Sequence, residues 1–405
     1  MSIIKPIIKR TPLVLGVSRP TVSLPKRSAD CRKPGLSERE IFLMIQGIAG
    51  SVQRADEECA YSAFMHLMRR IEGCREELAF KARLFAQALI KAVDPVSEDE
   101  TNIYLRQYER SHIDLFNLLA DSFPPIARTS AAANMITAQL ITAAVLSGTR
   151  EVTLLDLGIG GGRQISGLIR ILAERGTVPF RLTIIGVDPL ARNLEQAGVG
   201  LTDLATGLRI PFQFIPIRAA VEDLTLDDWI GFRRFQGELF ATATFSLHHV
   251  GRDGNGFSRK DGVLRNLKLI APTALVLAEA SGDFETDDLV SRFGASWMFY
   301  GACFDILDRM ALPPDLRAAA KLFFARELED ILGCHSAHRC ERFDTATRWR
   351  ERLRTAGFRT HPLLARSASR HIATGPDDLM TTIFQDGYVG FAHEDYLVTA
   401  VMCAY

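Results

Sequence analysis

The sequence lacks an excess of charge of either sign. Its 405 residues include 48 Lys and Arg against 48 Asp and Glu, so the formal net charge at pH 7 is zero. This balance excludes, for the chain as a whole, a strongly basic nucleic-acid binder and an acidic solvating tail. The seven cysteines form no C-x-x-C pair, and there is neither an unbroken 18-residue apolar run nor a secretory-type apolar N-terminus. We therefore expect reduced thiols, no membrane partner and a cytoplasmic location.

The charge is nevertheless unevenly distributed along the chain. Residues 1–34 contain eight Lys and Arg, one acid and five prolines, which leaves this segment at +7 and the rest of the chain at −7. Because proline and dense positive charge together sustain neither a helix nor a core, we predict a disordered arm over 1–34. Counterion release could bring the arm to nucleic acid or an acidic membrane, but it has no interleaved aromatic residues and no periodic apolar face. We expect a solvated or partner-binding tail, and we do not expect nucleic acid as a partner.

The segment 35–128 has the pattern of an N-terminal helical cap. Its apolar residues recur at helical spacing, and Ser37 followed by Glu40 is a capping-box pattern at its start. We expect Phe123-Pro124-Pro125 to interrupt the helices, and we predict a further helix from about Ala131 to Ser147.

The remaining segment, 129–405, shows short continuous apolar runs separated by helical patterns. Such runs are typical of parallel strands that are covered on both faces, joined by right-handed crossovers. The five runs are Val152–Leu157, Leu182–Val187, Phe212–Ile217, Leu239–Phe245 and Leu275–Ala278. A helical, aromatic insertion at about 283–333 is predicted to join the cap. The C-terminal edge is predicted to contain a strand near His361–Leu364 and an antiparallel hairpin of Tyr388–Ala392 and Tyr396–Cys403.

These patterns predict an α/β fold. Its sheet is expected to be doubly wound, mostly parallel and Rossmann-like, of the methyltransferase type, with an antiparallel C-terminal edge and an α-helical cap.

The segment LLDLGIGGGR, residues 154–163, joins the first predicted strand to a predicted helix. Glycines at such a turn let a ligand approach the backbone, and the start of the helix offers free N–H groups. The spacing departs from the dinucleotide pattern G-x-G-x-x-G because Arg163 replaces the third glycine, and it has the form usual in S-adenosylmethionine-dependent methyltransferases. A glycine turn kept only for its backbone conformation is the alternative.

The predicted cofactor is S-adenosylmethionine, held at the carboxyl ends of consecutive strands. Asp156 would face the methionine amino group, Asp188 the ribose hydroxyls and Glu222 the adenine. The predicted cofactor-binding residues are Asp156, Gly158, Gly160, Gly162, Asp188 and Glu222.

Two histidines follow the fourth predicted strand, at the mouth of the same crevice. His248 and His249 could act as a base or orient a substrate, and Glu279 closes the fifth strand as the equivalent acid, so these three are the candidate catalytic residues. The alternative is that neither histidine is functional, one being buried in the core and the other facing solvent. Methyl transfer depends mainly on alignment of the acceptor, so no catalytic residue is obligatory. The predicted substrate pocket, apolar and under the cap, consists of Asn134, Phe284, Trp297 and Tyr300.

The run Cys334-His335-x-x-His338-x-Cys340 contains four residues of metal-ligand type. Structural zinc sites draw two pairs from separate elements, whereas here only positions 334 and 338 share a helix face, so no metal site is predicted. The neighbouring Arg339, Glu341, Arg342 and Arg350 are expected to form surface or interdomain ion pairs.

From about Arg128 onward the sequence resembles the GRAS family. The block around Asn134, Asp156 and the three glycines is similar to the family's helix and VHIID region, and FSLHHV matches its Leu-His-His motif. RFGASWMFYGACFDILD resembles its aromatic segment. CERFDTATRWRERLRTAGF matches its Arg-x-Glu-Arg, Trp-Arg and Ala-Gly-Phe string through Glu341, Arg342, Trp349, Arg350 and Gly357.

The resemblance implies a Rossmann-like core with a helical cap, and it implies two functions. Plant members are protein-interaction regulators, whereas bacterial members are thought to be small-molecule methyltransferases. Because GIGGG, Asp188 and Glu222 are all present, the expectation is a bacterial-type methyltransferase that methylates a small, apolar molecule, with self-association into a homodimer left open. The alternative is a non-catalytic regulatory or ligand-binding protein that acts through protein–protein interaction.

Overall fold

Five parallel strands form the larger part of an eight-stranded sheet. The computed structural model describes residues 36–93, 109, 112–334, 338–360, 379–385 and 387–405. The arm predicted over 1–34 and the strand predicted near His361–Leu364 therefore lie outside the described residues. The parallel strands are β1 (Glu151–Leu157), β2 (Arg181–Asp188), β3 (Phe212–Arg218), β4 (Glu238–Thr244) and β5 (Ala274–Ala280).

Three antiparallel strands complete the sheet at its C-terminal edge. They are β6 (Thr381–Gln385), β7 (Tyr388–His393) and β8 (Tyr396–Ala404), and the order across the sheet is β3-β2-β1-β4-β5-β8-β7-β6. The predicted hairpin is confirmed as β7 and β8, whereas the edge strand β6 was not predicted. Its side chains are mostly exposed or half-buried, so they carry no apolar run.

Helices cover both faces of the sheet, and β1, β2 and β5 are buried along nearly their whole length. The edge strand β3 differs from the prediction, because none of its residues is fully buried. Along β1, Leu154 packs into one apolar core while its neighbour Leu155 packs into a second core on the opposite face. The first face is covered by α5 (Pro124–Leu146), α6 (Arg163–Glu174) and α7 (Ala191–Gly207). The second is covered by α8 (Leu226–Phe232), α9 (Lys260–Leu269) and α12 (Ala346–Thr355). The prediction of a mixed α/β fold with a mostly parallel sheet is confirmed.

Six further helices form a layer beside the first face. They are α1 (Glu38–Gln53), α2 (Glu57–Ile71), α3 (Glu76–Lys91), α4 (His112–Ala120), α10 (Leu289–Arg309) and α11 (Pro314–Gly333). Helices α10 and α11 pack against α1, α3 and α4. Aromatic contacts join them, such as Phe42 with Phe293 at 5.2 Å and Phe85 with Trp297 at 4.9 Å between ring centroids.

The start of α1 has the predicted capping box. The Glu40 N–H donates to the Ser37 hydroxyl at 3.3 Å, and the Ser37 N–H donates to the Glu40 carboxylate at 2.8 Å. Each side chain thus satisfies a backbone group at the helix end that has no partner within the helix.

Helix α5 begins earlier than predicted, at Pro124 rather than near Ala131. Proline suits the first helical position because its missing N–H would have no partner there. By length and composition alone, α5 could cross a membrane. It packs instead on β4, β5 and β8, and its apolar residues belong to the same core as the sheet, as in a core helix of a globular fold.

Candidate functional site

A cavity of about 330 Å³ lies at the carboxyl ends of the five parallel strands. Its walls include residues at or just after the ends of β1, β2, β3, β4 and β5, namely Gly158, Pro189, Ala219, Phe245 and Ala280. The strand order reverses between β1 and β4, and open parallel sheets bind ligands at such a reversal. The opposite wall comes from the helical layer and the segment before α12; it includes Phe116, Phe299, Cys303, Phe323, Phe324, Glu327 and Phe343.

The glycines of the turn after β1 allow close packing at two positions and leave open space beside the cavity at a third. Gly158 and Gly162 have φ of +83° and +77°, and added Cβ atoms would lie 2.4 Å from the Ser246 Cβ and 3.1 Å from the Ala197 Cβ, respectively. Gly160 also has a positive φ, +51°, but a Cβ there would meet nothing within 4 Å. Close packing therefore requires two of the glycines, while Gly160 faces open space at the cavity wall.

Asp156 lies at the cavity but is buried. The Thr242 hydroxyl donates a 2.8 Å hydrogen bond to its Oδ1. Burial, reinforced by the nearby charge of Asp188, raises the pKa of Asp156 to about 7, although the Thr242 hydrogen bond opposes this shift. Near neutral pH this carboxyl is therefore partly protonated.

Asp188 holds the glycine turn in place. Its carboxylate accepts the Gly160 N–H at 3.0 Å, the Leu190 N–H at 2.8 Å and the Asn193 amide at 3.1 Å. Burial raises the pKa of Asp188, while these hydrogen bonds lower it. Glu222 also lines the cavity, and burial raises its pKa. All six predicted cofactor residues except Gly162 are among the described lining residues.

The structure brings the three predicted catalytic residues together. His248 Nδ1 lies 2.5 Å from Glu279 Oε2, and Glu279 Oε1 accepts the N–H groups of Ser246 at 3.2 Å and Leu247 at 2.8 Å. Burial raises the pKa of Glu279 to about 8 and lowers the pKa values of His248 and His249 well below the usual histidine range. Both imidazoles are therefore neutral at pH 7.

Glu341 faces both histidines and was not predicted as a site residue. Its carboxylate oxygens lie 3.5 Å from His248 Nε2 and 3.4 Å from His249 Nδ1. Arg339, Glu341 and Arg342 are all buried, so the surface alternative for their ion pairs is wrong. Arg342 does form an ion pair inside the protein, with Glu285 at 3.5 Å. The sequence indicated Glu341 only through its position in the Arg-x-Glu-Arg motif, and a motif does not show which residues a side chain faces.

The structure does not bring the predicted substrate-pocket residues to the cavity. Asn134, Phe284, Trp297 and Tyr300 are absent from its described lining. The Asn134 amide exchanges hydrogen bonds with Gln164, donating to its backbone oxygen at 3.1 Å and accepting from its side chain at 2.7 Å, which ties α5 to α6.

The three aromatic residues of that prediction are core residues. Trp297 packs on Phe85, Phe284 stacks near Tyr300, and the Tyr300 hydroxyl donates to Glu327 at 2.8 Å. The face of α10 that lines the cavity carries Phe299 and Cys303 instead.

The cysteine and histidine run before α12 is only partly described, because His335 lies outside the described residues. The Cys340 N–H donates to Asp330 Oδ2 at 3.1 Å. Among the described residues, the groups with the spacing of a metal site contain neither Cys334 nor Cys340.

Comparison with solved structures supports the fold. The crystal structure of SCL7 from Oryza sativa covers 89% of this chain and 99% of its own, with a TM-score of 0.72 and 21% identity. Two methyltransferase structures, HEN1 and BpumL, give TM-scores of 0.34 and 0.35, too low to support a methyltransferase-type fold.

Comparison with curated proteins corrects the expected function. The Scarecrow-like transcription factor PAT1 of Arabidopsis thaliana is 29% identical over 264 residues, which are 62% of this chain and 53% of PAT1. The GRAS family protein RAD1 of Lotus japonicus is 28% identical over 325 residues, which are 77% of this chain and 58% of RAD1. The chain spans about half the length of the curated relatives it matches.

These relatives are plant proteins, and PAT1 is named as a transcription factor. The expectation of a bacterial-type methyltransferase with a small-molecule methyl acceptor as its partner is therefore wrong, and the regulatory alternative fits better. The glycine turn was not sufficient evidence for a methyltransferase, because two of its glycines are needed for packing whether or not a cofactor binds. The model of the GRAS domain family matches residues 47–374, which is most of the sequence. The chain belongs to the GRAS domain family.

Proposed function

We propose that this chain is a non-catalytic regulatory protein that influences transcription by binding other proteins. The observation that carries the proposal is its membership of the GRAS domain family, together with its similarity to PAT1, a named transcription factor. Outside the basic segment 1–34 the chain has a formal net charge of −7, which supports action through a protein partner, since proteins that bind DNA directly concentrate positive charge against its phosphates.

A reporter assay tests this function. The chain is fused to a heterologous DNA-binding domain in plant cells, and transcription from a promoter carrying the matching DNA sites is measured. We expect a change of several-fold relative to the DNA-binding domain alone. The unfused chain should not retain duplex DNA in a mobility-shift assay at physiological salt. An unchanged reporter would contradict the regulatory function, and tight binding of the unfused chain to DNA would contradict action through a protein.

We further propose that the cavity binds a small ligand without transforming it, and that S-adenosylmethionine is the first candidate. The cavity has a volume in the range of ligand pockets, and Asp156, Asp188 and Glu222 all line it. Gly160 leaves open space beside the turn. Asp188 already accepts three hydrogen bonds, so one acceptor position of its carboxylate is left for a ribose hydroxyl.

Calorimetry with S-adenosylmethionine and S-adenosylhomocysteine tests the ligand. We expect Gly160→Ala to weaken binding at least about tenfold, because it places a methyl group in the cavity. Gly176→Ala is the matched control. Gly176 also has a positive φ, +62°, and open space around its added Cβ, but it is not among the described lining residues. Absence of binding by the unmodified chain, or equal effects of the two substitutions, would exclude this ligand.

The cytoplasmic location stays a prediction. A regulator of transcription must reach the compartment where transcription takes place, so imaging of a fluorescent fusion distinguishes a cytoplasmic pool from one at the genome.

A further inference from the structure

Three side chains around the end of β4 bring nitrogen and oxygen atoms to the spacing of metal ligands. His248 Nε2 and His249 Nδ1 lie 3.5 and 3.4 Å from the two oxygens of the Glu341 carboxylate. Ligand atoms held about 2.1 Å from a tetrahedral Zn²⁺ ion are about 3.4 Å apart. The two imidazole rings adjoin each other, with centroids 3.8 Å apart, and the candidate ligand atoms of all three residues lie within 4.8 Å of one another.

A second carboxylate orients the first of these histidines. Glu279 Oε2 lies 2.5 Å from His248 Nδ1, the ring nitrogen that points away from Glu341. With the ring proton on Nδ1 and donated to Glu279, the lone pair of Nε2 is directed toward Glu341. Metal-binding histidines almost always have such a carboxylate or carbonyl partner behind them, which fixes the tautomer and the ring orientation.

The helical layer adds two more side chains of the same chemistry. His112 of α4 and Glu327 of α11 form a second such group with Glu341, again with ligand atoms within 4.8 Å, and all three residues are buried. His112 is stacked on Phe323 with 4.4 Å between ring centroids, and Glu327 accepts the Tyr300 hydroxyl at 2.8 Å. Both side chains are therefore held in place by their own neighbours.

We propose that His248, His249 and Glu341 bind one divalent transition-metal ion of the Zn²⁺ or Fe²⁺ class, with His112 and Glu327 able to complete its coordination. Two imidazoles and one carboxylate suit these ions, whereas Mg²⁺ and Ca²⁺ prefer sites made of oxygen alone.

The proposed site borders the cavity, because His248, His249 and Glu327 are among its lining residues. A bound ion would therefore face the cavity and tie β4 to the helical layer through Glu327. The prediction from sequence was that no metal binds, since it considered only the run Cys334 to Cys340. The proposal does not depend on the regulatory function or on S-adenosylmethionine.

The experiment measures metal binding by the full chain after treatment with a chelator. Co²⁺ is added and its visible d–d absorption recorded, and Zn²⁺ affinity is then measured by competition. We expect one equivalent of Co²⁺ per chain with the absorption of nitrogen and oxygen coordination. Glu341→Gln and His249→Ala should each abolish that absorption. His66→Gln is the control, because His66 is an exposed histidine on α2 that belongs to none of the described groups.

Glu279→Gln separates metal ligation from a purely structural hydrogen-bond network. The glutamine oxygen can still accept the N–H groups of Ser246 and Leu247, but its amide nitrogen then donates to His248 Nδ1. This moves the ring proton to Nε2, where it blocks the metal. We expect a loss of affinity of about 10- to 100-fold. Circular dichroism confirms that each variant is folded.

Two results would overturn the proposal. One is a wild-type chain that binds no more Co²⁺ than its Glu341→Gln variant. This result would mean that the histidines and Glu341 interact through hydrogen bonds and hold no metal ion. The other is an affinity that His66→Gln lowers while Glu279→Gln and His249→Ala leave it unchanged, which would place the ion on the surface.

Discussion

Replacement of Asp156 by asparagine should remove a pH dependence from the stability of this protein. Burial raises the pKa of Asp156 from 3.8 to about 7 in the folded chain. The folded state therefore retains a proton that the unfolded state releases above pH 3.8. The stability from this proton is fully present below pH 3.8 and is lost as the pH rises through 7.

The magnitude follows from the size of the shift. Each pKa unit is worth about 1.4 kcal/mol, so ionisation of Asp156 costs the folded state about 4 kcal/mol by pH 8. Asparagine resembles the protonated acid, and its amide oxygen can accept the Thr242 hydroxyl as Asp156 does. Relative to the unmodified chain, Asp156→Asn should gain about 1.4 kcal/mol of stability per pH unit between about pH 4.5 and 7.

The assay is urea unfolding followed by circular dichroism at pH 5, 6, 7 and 8. Asp203→Asn, at an exposed position on α7, is the control, because its carboxyl group meets solvent in both states. We expect a difference in unfolding free energy that grows with pH for Asp156→Asn and stays flat for Asp203→Asn. A flat difference for both would mean that Asp156 is ionised in the folded protein, and the argument from burial would be wrong.

Two further substitutions test the packing around the cavity. Gly158→Ala should destabilise the fold by about 2 to 4 kcal/mol, because its Cβ would lie 2.4 Å from the Ser246 Cβ at a positive φ; Ser246→Gly in the same chain should restore part of this loss. Both are measured by urea unfolding, and no rescue would refute the clash. Asn134→Ala should cost about 2 kcal/mol, because it removes the two hydrogen bonds with Gln164; a change under about 0.5 kcal/mol would show that water replaces them.

Much of the sheet could be predicted because the pattern that specifies it is local. A strand covered on both faces must be apolar at every position, so β1, β2 and β5 appear in the sequence as continuous runs. The exposed edge strand β6 has no such pattern and was missed. The capping box at Ser37 was predictable for the same reason, since both partners lie within one helical turn.

The lining of the cavity could not be predicted, because α10 is apolar on more than one face. It packs against α1, α11 and β8, so aromatic residues point in several directions. Periodicity therefore could not distinguish Trp297 and Tyr300, which fill the core, from Phe299 and Cys303, which face the cavity. Likewise, the glycine spacing indicated a turn but not that Gly158 and Gly162 are required by their neighbours.

The sequence by itself determined the order of β1 to β5 and of the hairpin β7–β8, the place of the glycine turn and the resemblance that the family match confirmed. Each of these depends on residues close together along the chain. Only the tertiary structure decided that Glu341 meets the two histidines, that Asp188 holds the glycine turn after β1 and that Asp156 is partly protonated near neutral pH. Burial and long-range contact depend on how distant segments pack together, and no local pattern in the sequence specifies them.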